Sequence, residues 1–160
     1  MSYEGWEEDA RVALAELSHE IDCDVCALGL LAEGDRALKW RLASGNANER
    51  FLSIVERLGG GLSGTVLKVG RAMSLQLSDL LAERRIHEYP IMLAEGLRSA
   101  YAAPVFIGTD VVGVLLAGDR RRRMYRPEDR AAALGAAVKI GALLMRGSNR
   151  DVAPSANMVE

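Results

Sequence analysis

A chain of 160 residues with a formal net charge of −2, 49% hydrophobic and 26% charged residues, has the composition of a single globular domain with a real core. That balance gives no basic surface of the kind nucleic acid requires, and no apolar run reaches membrane-spanning length. The acidic start, MSYEGWEEDA, has no signal-peptide core. The expected setting is therefore soluble and cytoplasmic, without nucleic-acid or membrane partners.

Ala10, Leu14, Leu17 and Ile21 recur at helical spacing, which predicts a first helix over Trp6–Ile21. Val25–Leu31 is a short apolar strand, and 32–35 turns the chain. Leu38, Trp40 and Leu42 alternate with Lys39 and Arg41, which predicts a second strand with one buried face. Phe51, Ile54, Val55 and Leu58 predict a helix over Asn48–Leu58 with those four side chains inward. After the glycines at 59–61 comes a short helix, Leu62–Val69, closed by Gly70. Ala72–Leu75 is a brief strand. The segment from Ser78 to Gly96 is a long connection with helical fragments, broken at Pro90. Ser99–Ile107 and Val111–Ala117 form a hairpin about Gly108-Thr109-Asp110. A last helix opens at Arg126-Pro127-Glu128-Asp129 and runs to about Met145. This order predicts an α+β fold, a central, mostly antiparallel sheet flanked by helices, over 1–147, with a C-terminal tail at 148–160.

The two cysteines, Cys23 and Cys26, follow a helix and lead into a strand. A redox pair would instead open a helix, where the dipole lowers the thiol pKa. A zinc site would need two further ligands, and His19 and His87 are isolated. Both cysteines are read as small buried hydrophobes.

The stretch 59-GGGLSG-64 spells G-x-G-x-x-G, the pyrophosphate-binding pattern. A dinucleotide loop follows a strand and opens a long helix. Here the preceding segment has helical spacing and the following helix stops at Gly70, so Asp79 alone, 20 residues after Gly59, does not rescue that reading. A P-loop lacks its Gly-Lys-Ser/Thr. Two readings stay open: a tight turn that lets the helix pack closely, or a charge-free helix start at Leu62 that offers N–H donors to an anion. The basic run Arg120–Arg123 is read as a solvated loop balanced by Asp119, Glu128 and Asp129.

Gly61-Leu62-Ser63-Gly64 with Val66 and Gly70, Gly96-Leu97-Arg98-Ser99 leading into Ala103-Pro104-Val105, the return at Val112-Gly113-Val114, and Arg126-Pro127-Glu128-Asp129 together resemble a GAF domain, the small-molecule sensor module of signalling proteins. The resemblance covers about Trp6 to Met145. Trp40 in a strand, Leu62 at a helix start and Tyr89-Pro90-Ile91 in the connection are similar to the stand-alone GAF proteins of the NreA type, cytoplasmic nitrate receptors that work with a sensor histidine kinase. That similarity implies a ligand site at Trp40, Leu62, Ser63, Tyr89, Pro90, Ile91 and Leu97, a small anion, nitrate, as ligand, and a two-component kinase as partner. An inward strand tryptophan and a long connection that must cover something predict a cavity between the sheet and that connection, walled by Trp40 and closed by Tyr89-Pro90-Ile91. Nitrate, a weakly hydrated monoanion, suits a few N–H donors and apolar walls, but each residue also reads as core or turn.

Other function classes stay open. The domain could bind another small ligand, or serve as a ligand-free dimerisation module. Some GAF proteins reduce free methionine sulfoxide through several cysteines, whereas this chain has two and no Ser-His-Asp or metal constellation. No enzyme, catalytic residue, metal or cofactor is expected. The last helix carries only Lys139 as a charge between Arg130 and Met145, so burial on most sides is expected. That leaves a homodimer or partner helix on the terminal helices, or coverage by the first helix and tail within a monomer.

Overall fold

The structure is a computed structural model that describes residues 2–32, 37–57 and 59–152. The expected turn at 33–35, Leu58, and residues 153–160 of the expected tail lie outside the described residues. The elements in chain order are α1 (Ser2–Ile21), β1 (Val25–Ala32), β2 (Ala37–Ser44), β3 (Val55–Arg57), β4 (Met73–Gln76), α2 (Leu77–Ala82), α3 (Pro90–Ala94), β5 (Ser99–Ile107), β6 (Asp110–Asp119) and α4 (Pro127–Val152). The six strands form one sheet in the order β3-β2-β1-β6-β5-β4, and each neighbouring pair is antiparallel. The fold is the expected α+β arrangement.

Each face of the sheet buries its own apolar cluster. On one side α1 and α4 lie together over the sheet, and Leu14, Leu17, Ala133, Ala137 and Ile140 pack on Leu28, Ala103, Val105 and Leu115. On the other side the glycine loop and the long connection cover Val25, Leu38, Trp40, Ala102, Val114 and Leu116. Strand alternation divides the residues between the two faces.

Strand β2 departs from the simple alternation. Its pairing steps from Leu28↔Leu42 to Gly29↔Trp40, so Arg41 is one residue too many. This bulge inverts the phase of the strand. Leu38 and Trp40 face the connection, whereas Leu42 joins the α1/α4 side. Arg41 also reaches that side, where it bonds Glu7 at 3.0 Å and lies 5.9 Å from the Trp6 ring. The expected single buried face of this strand is two faces.

The expected helix over Asn48–Leu58 does not form. Arg50–Ser53 makes one 3₁₀ turn, and Val55–Arg57 pairs with β2 as an edge strand. Helical spacing over so short a segment does not repay nucleation, while an open sheet edge satisfies its backbone at once. The consequence is an exchange of faces. Val55, expected inside, is 53% exposed, and Glu56 is buried in its place.

Helix α4 continues past Met145 to Val152. It has one buried stripe rather than burial on most sides. Helix α1 covers part of it, while Leu134, Val138 and Met145 stay exposed, as does Val12 of α1.

The run Arg120–Arg123 is not simply a solvated loop. Arg123 reaches buried Asp119 at 3.1 Å and buried Asp129 at 3.4 Å, and also bonds the carbonyls of Ile21 and Asp22. Arg120 bonds buried Glu95 at 2.7 Å and the Glu95 carbonyl. These two arginines tie the ends of α1 and β6 and the loop after α3 together, while Arg121 and Arg122 stay exposed. Alternating charges along the sequence gave no sign of which guanidinium groups turn inward.

Candidate ligand site

The structure gathers most of the expected residues. Trp40, Leu62, Tyr89, Ile91 and Leu97 belong to one buried cluster on the face opposite α1 and α4. Strand β2 supplies Trp40, which lies flat against Gly29 of β1. A Cβ at Gly29 would stand 3.2 Å from the indole ring, so a residue without one lets the ring settle on the sheet. Tyr89 precedes α3, and Pro90 takes its first position, where a missing N–H costs nothing. That proline starts a helix rather than breaking one. Ile91 and Met92 then point into the cluster. Pro90 is only partly buried. Ser63 follows Leu62 in the same turn, and its side chain lies outside the described residues.

The glycine loop joins this cluster to the connection. Residues 61–69 are helical, and the turn widens to a π-type geometry over Ser63–Leu67. Widened turns of this kind are rare and recur at functional sites. Gly61 has a φ of 56° and sits directly on the Glu88 carbonyl, to which a Cβ would approach within 2.2 Å. The expectation that no carboxylate stands beside this first turn is not met. The Glu88 carboxylate takes the Gly61 N–H, and Arg85 bonds it at 3.1 Å; the two hold its pKa below the usual carboxylate value, Arg85 more strongly. The dinucleotide reading falls, but on other grounds than helical spacing. A strand does precede the glycines, yet it is a three-residue antiparallel edge strand, not the first strand of a parallel βαβ unit.

A depression of about 240 Å³ opens between β3, the glycine loop and the segment before α3, with Glu56, Gly60, His87, Glu88 and Pro90 in its lining. It does not have Trp40 as a wall, as the sequence suggested. Trp40 is packed core, and Glu56 stands between it and the depression. The Trp40 Nε1–H donates to Glu56 Oε2 at 3.1 Å, while Glu56 Oε1 has no hydrogen-bond partner. Glu56 is 6% exposed, and burial pushes its carboxyl up to about 7, against a smaller opposing pull from the Trp40 hydrogen bond. Tyr89 is raised as well, chiefly by burial.

Sequence reasoning missed Glu56. The signal that could have found it is the period-2 reading of Ile54, Glu56 and Leu58, which competes with the helical reading of the same residues.

The cysteines lie on the other face, in the α1/α4 cluster. Their sulfurs are 3.3 Å apart and both are buried. The shared hydrogen bond lowers the Cys23 thiol and raises that of Cys26, with burial adding to the rise. The sheet separates them from the depression. Among the described residues no group of three or more metal-ligating side chains comes together, and no helix is long and apolar enough to cross a membrane.

The GAF domain model matches residues 6–144. Structures of NreA from Staphylococcus aureus mutated in its nitrate binding site are similar at 31% identity and a TM-score of 0.68, over 78% of this chain and 93% of that one. A hypothetical protein from S. aureus, SA1058, is similar at 34% identity and a TM-score of 0.65, over 71% and 94%. The type II free methionine-R-sulfoxide reductase of Thermoplasma acidophilum shares the fold, with a TM-score of 0.73 over 91% of this chain and 96% of that one, at only 15% identity. No curated protein sequence matches. The family model covers most of the chain, from the start of the first helix to the last: the chain belongs to the GAF domain family.

Proposed function

We propose that this GAF domain is a cytoplasmic sensor of a small anion, nitrate, and that it regulates the sensor histidine kinase of a two-component system. The observation that carries this reading is the convergence of Trp40, Leu62, Tyr89, Ile91 and Leu97 on one buried cluster, in a chain 31% identical to NreA structures named for their nitrate binding site. Under this reading Pro90 and the Leu62–Ser63 backbone border the anion. Tyr89 and Ile91 supply apolar walls, Trp40 backs them from the core, and turn N–H groups supply donors.

The chain acts here as a receptor rather than an enzyme. Its cysteines sit across the sheet from the depression, so neither thiol can reach a ligand there. The exposed apolar residues of the terminal helices, Val12, Leu134, Val138 and Met145, give a second copy of the chain a place to dock.

Titration calorimetry against nitrate, nitrite, chloride, phosphate and cyclic nucleotides tests the ligand. Heat of binding with nitrate and none with phosphate or cyclic nucleotides supports the reading. Binding of a cyclic nucleotide alone replaces it with a different small-ligand sensor, and silence toward all five leaves a dimerisation module.

A further inference from the structure

Cys23 and Cys26 are two nucleophiles that the ligand site does not use. Cys23 stands in the turn between α1 and β1, and Cys26 is the second residue of β1. The turn is tight. Asp22 takes a φ of 55°, the Cys23 N–H donates to the Ser18 carbonyl at 3.1 Å, and the Ser18 hydroxyl donates to the Cys23 carbonyl at 2.9 Å. This fold of the backbone brings the sulfurs to 3.3 Å, where two free thiols share a hydrogen bond. A disulfide needs about 2.0 Å, so closure asks the sulfurs for little more than about 1 Å of approach. Access to the two differs. Cys23 is 7% exposed, between exposed Asp22 and Asp24, whereas Cys26 is 0% exposed. A small oxidant therefore meets Cys23 first.

The surroundings of Cys23 favour the thiolate that an oxidant requires. The hydrogen bond from Cys26 lowers its thiol most, and Ser18 and Arg123 add to this against burial and Asp119. Arg123 also donates to the carbonyls of Ile21 and Asp22, which sets a cation at the end of α1, where the helix dipole alone would oppose a thiolate. The rise at Cys26 comes chiefly from the same shared hydrogen bond. That part lapses once Cys23 no longer carries a thiolate.

We propose that Cys23 and Cys26 form a reversible, peroxide-reactive dithiol, with Cys23 as the nucleophile and Cys26 as the resolving thiol. The Cys23 thiolate attacks one oxygen of hydrogen peroxide and the O–O bond breaks. Cys23 becomes a sulfenic acid, and the hydroxide that leaves takes up the proton Cys23 lost. Cys26 then attacks the Cys23 sulfur: the S–S bond forms, the S–O bond breaks, and the Cys26 proton goes to the departing hydroxide. Two thiols are oxidised by two electrons, one peroxide is reduced, and two waters are released. A dithiol reductant reverses the bond by exchange. Closure also takes the Cys23 thiol from the Val25 carbonyl it meets at 3.5 Å, so the change is felt where α1 joins the sheet. The pair lies across the sheet from the depression, and its chemistry stands apart from the receptor reading.

The test exposes the folded protein to hydrogen peroxide, removes the peroxide, unfolds the chain, blocks the remaining thiols with iodoacetamide and weighs the product by mass spectrometry with peptide mapping. The wild type should become lighter by two hydrogens, take up no alkyl group and show a Cys23–Cys26 crosslink within one chain. Dithiothreitol should restore both alkylatable thiols. Cys26→Ser should stop at the Cys23 sulfenic acid, captured by dimedone, and Cys23→Ser should leave Cys26 a free thiol after the same exposure. Two alkylatable thiols in the peroxide-treated wild type overturn the proposal. Oxidation to a sulfinic acid without a crosslink, or bonds formed only between chains, overturns it too. Cys26 oxidised as fast in Cys23→Ser as Cys23 is in Cys26→Ser also overturns it, because the two roles are part of the proposal. The wild-type masses decide the outcome even where a variant fails to fold.

Discussion

Alanine at each of the three consecutive glycines separates what the glycine loop does for the fold from what its pattern suggests. At Gly60 a Cβ meets nothing within 4 Å, and its φ is not positive. Gly60→Ala should therefore be neutral or stabilise by about 0.4–1 kcal/mol, through a less disordered unfolded chain. At Gly59 the space is also open, but φ is 114°. Alanine there carries only the backbone cost, about 1–2 kcal/mol. At Gly61 both penalties act, because φ is 56° and the Cβ would stand 2.2 Å from the Glu88 carbonyl oxygen. That oxygen is backbone, so it yields only if the segment before α3 moves. Adding about 1–3 kcal/mol for the overlap gives about 2–5 kcal/mol for Gly61→Ala, a large share of a domain's stability. Urea denaturation of the three variants reads this directly, as a midpoint order of Gly60→Ala, then Gly59→Ala, then Gly61→Ala. A Gly61→Ala midpoint equal to that of Gly60→Ala would refute the close approach, and with it the account of how the loop is locked to the connection.

Three further outcomes follow from the same structure. Arg123→Ala leaves Asp119 and Asp129 buried without their shared guanidinium and should destabilise the fold by about 3–5 kcal/mol in urea, with Arg123→Lys recovering only part of the loss. Because the folded Glu56 carboxyl is raised from 4.5 to about 7, its contribution to stability is full below about pH 4.5 and is lost as pH rises through about 7, a change of about 3 kcal/mol that Glu56→Gln should flatten in denaturation at pH 5 and pH 8. Val138 is 74% exposed on α4, so Val138→Glu should leave stability unchanged within about 0.5 kcal/mol and lower the light-scattering mass of the homodimer proposed on the terminal helices; a wild type that is monomeric, or a dimer untouched by this change, counts against that interface.

The sequence read well where one period ruled a segment. The α1 stripe, the β5–β6 hairpin and the proline-led start of α4 carry unambiguous spacing and turn or cap residues, and each stands where it was expected. It read poorly where two periods fit the same residues. Phe51, Ile54 and Val55 satisfy a helix on paper, but the free edge of β2 takes Val55–Arg57 and turns Glu56 inward. The bulge at Arg41 is invisible to alternation, because an extra residue shifts the phase without changing residue types. Arg120 and Arg123 look like their exposed neighbours, since only tertiary contacts with Glu95, Asp119 and Asp129 distinguish them. At the site, the apolar members were legible through resemblance, whereas the carboxyl that meets Trp40 was hidden by the wrong secondary structure.

The most direct test of the receptor reading is amide chemical-shift mapping of the intact protein during a nitrate titration. The reading predicts saturable shifts confined to the Leu62–Ser63 turn, the Glu88–Ile91 segment, Glu56 and the Trp40 indole N–H. Shifts centred on the exposed arginines Arg121 and Arg122, or no saturable shifts at any nitrate concentration, would contradict it.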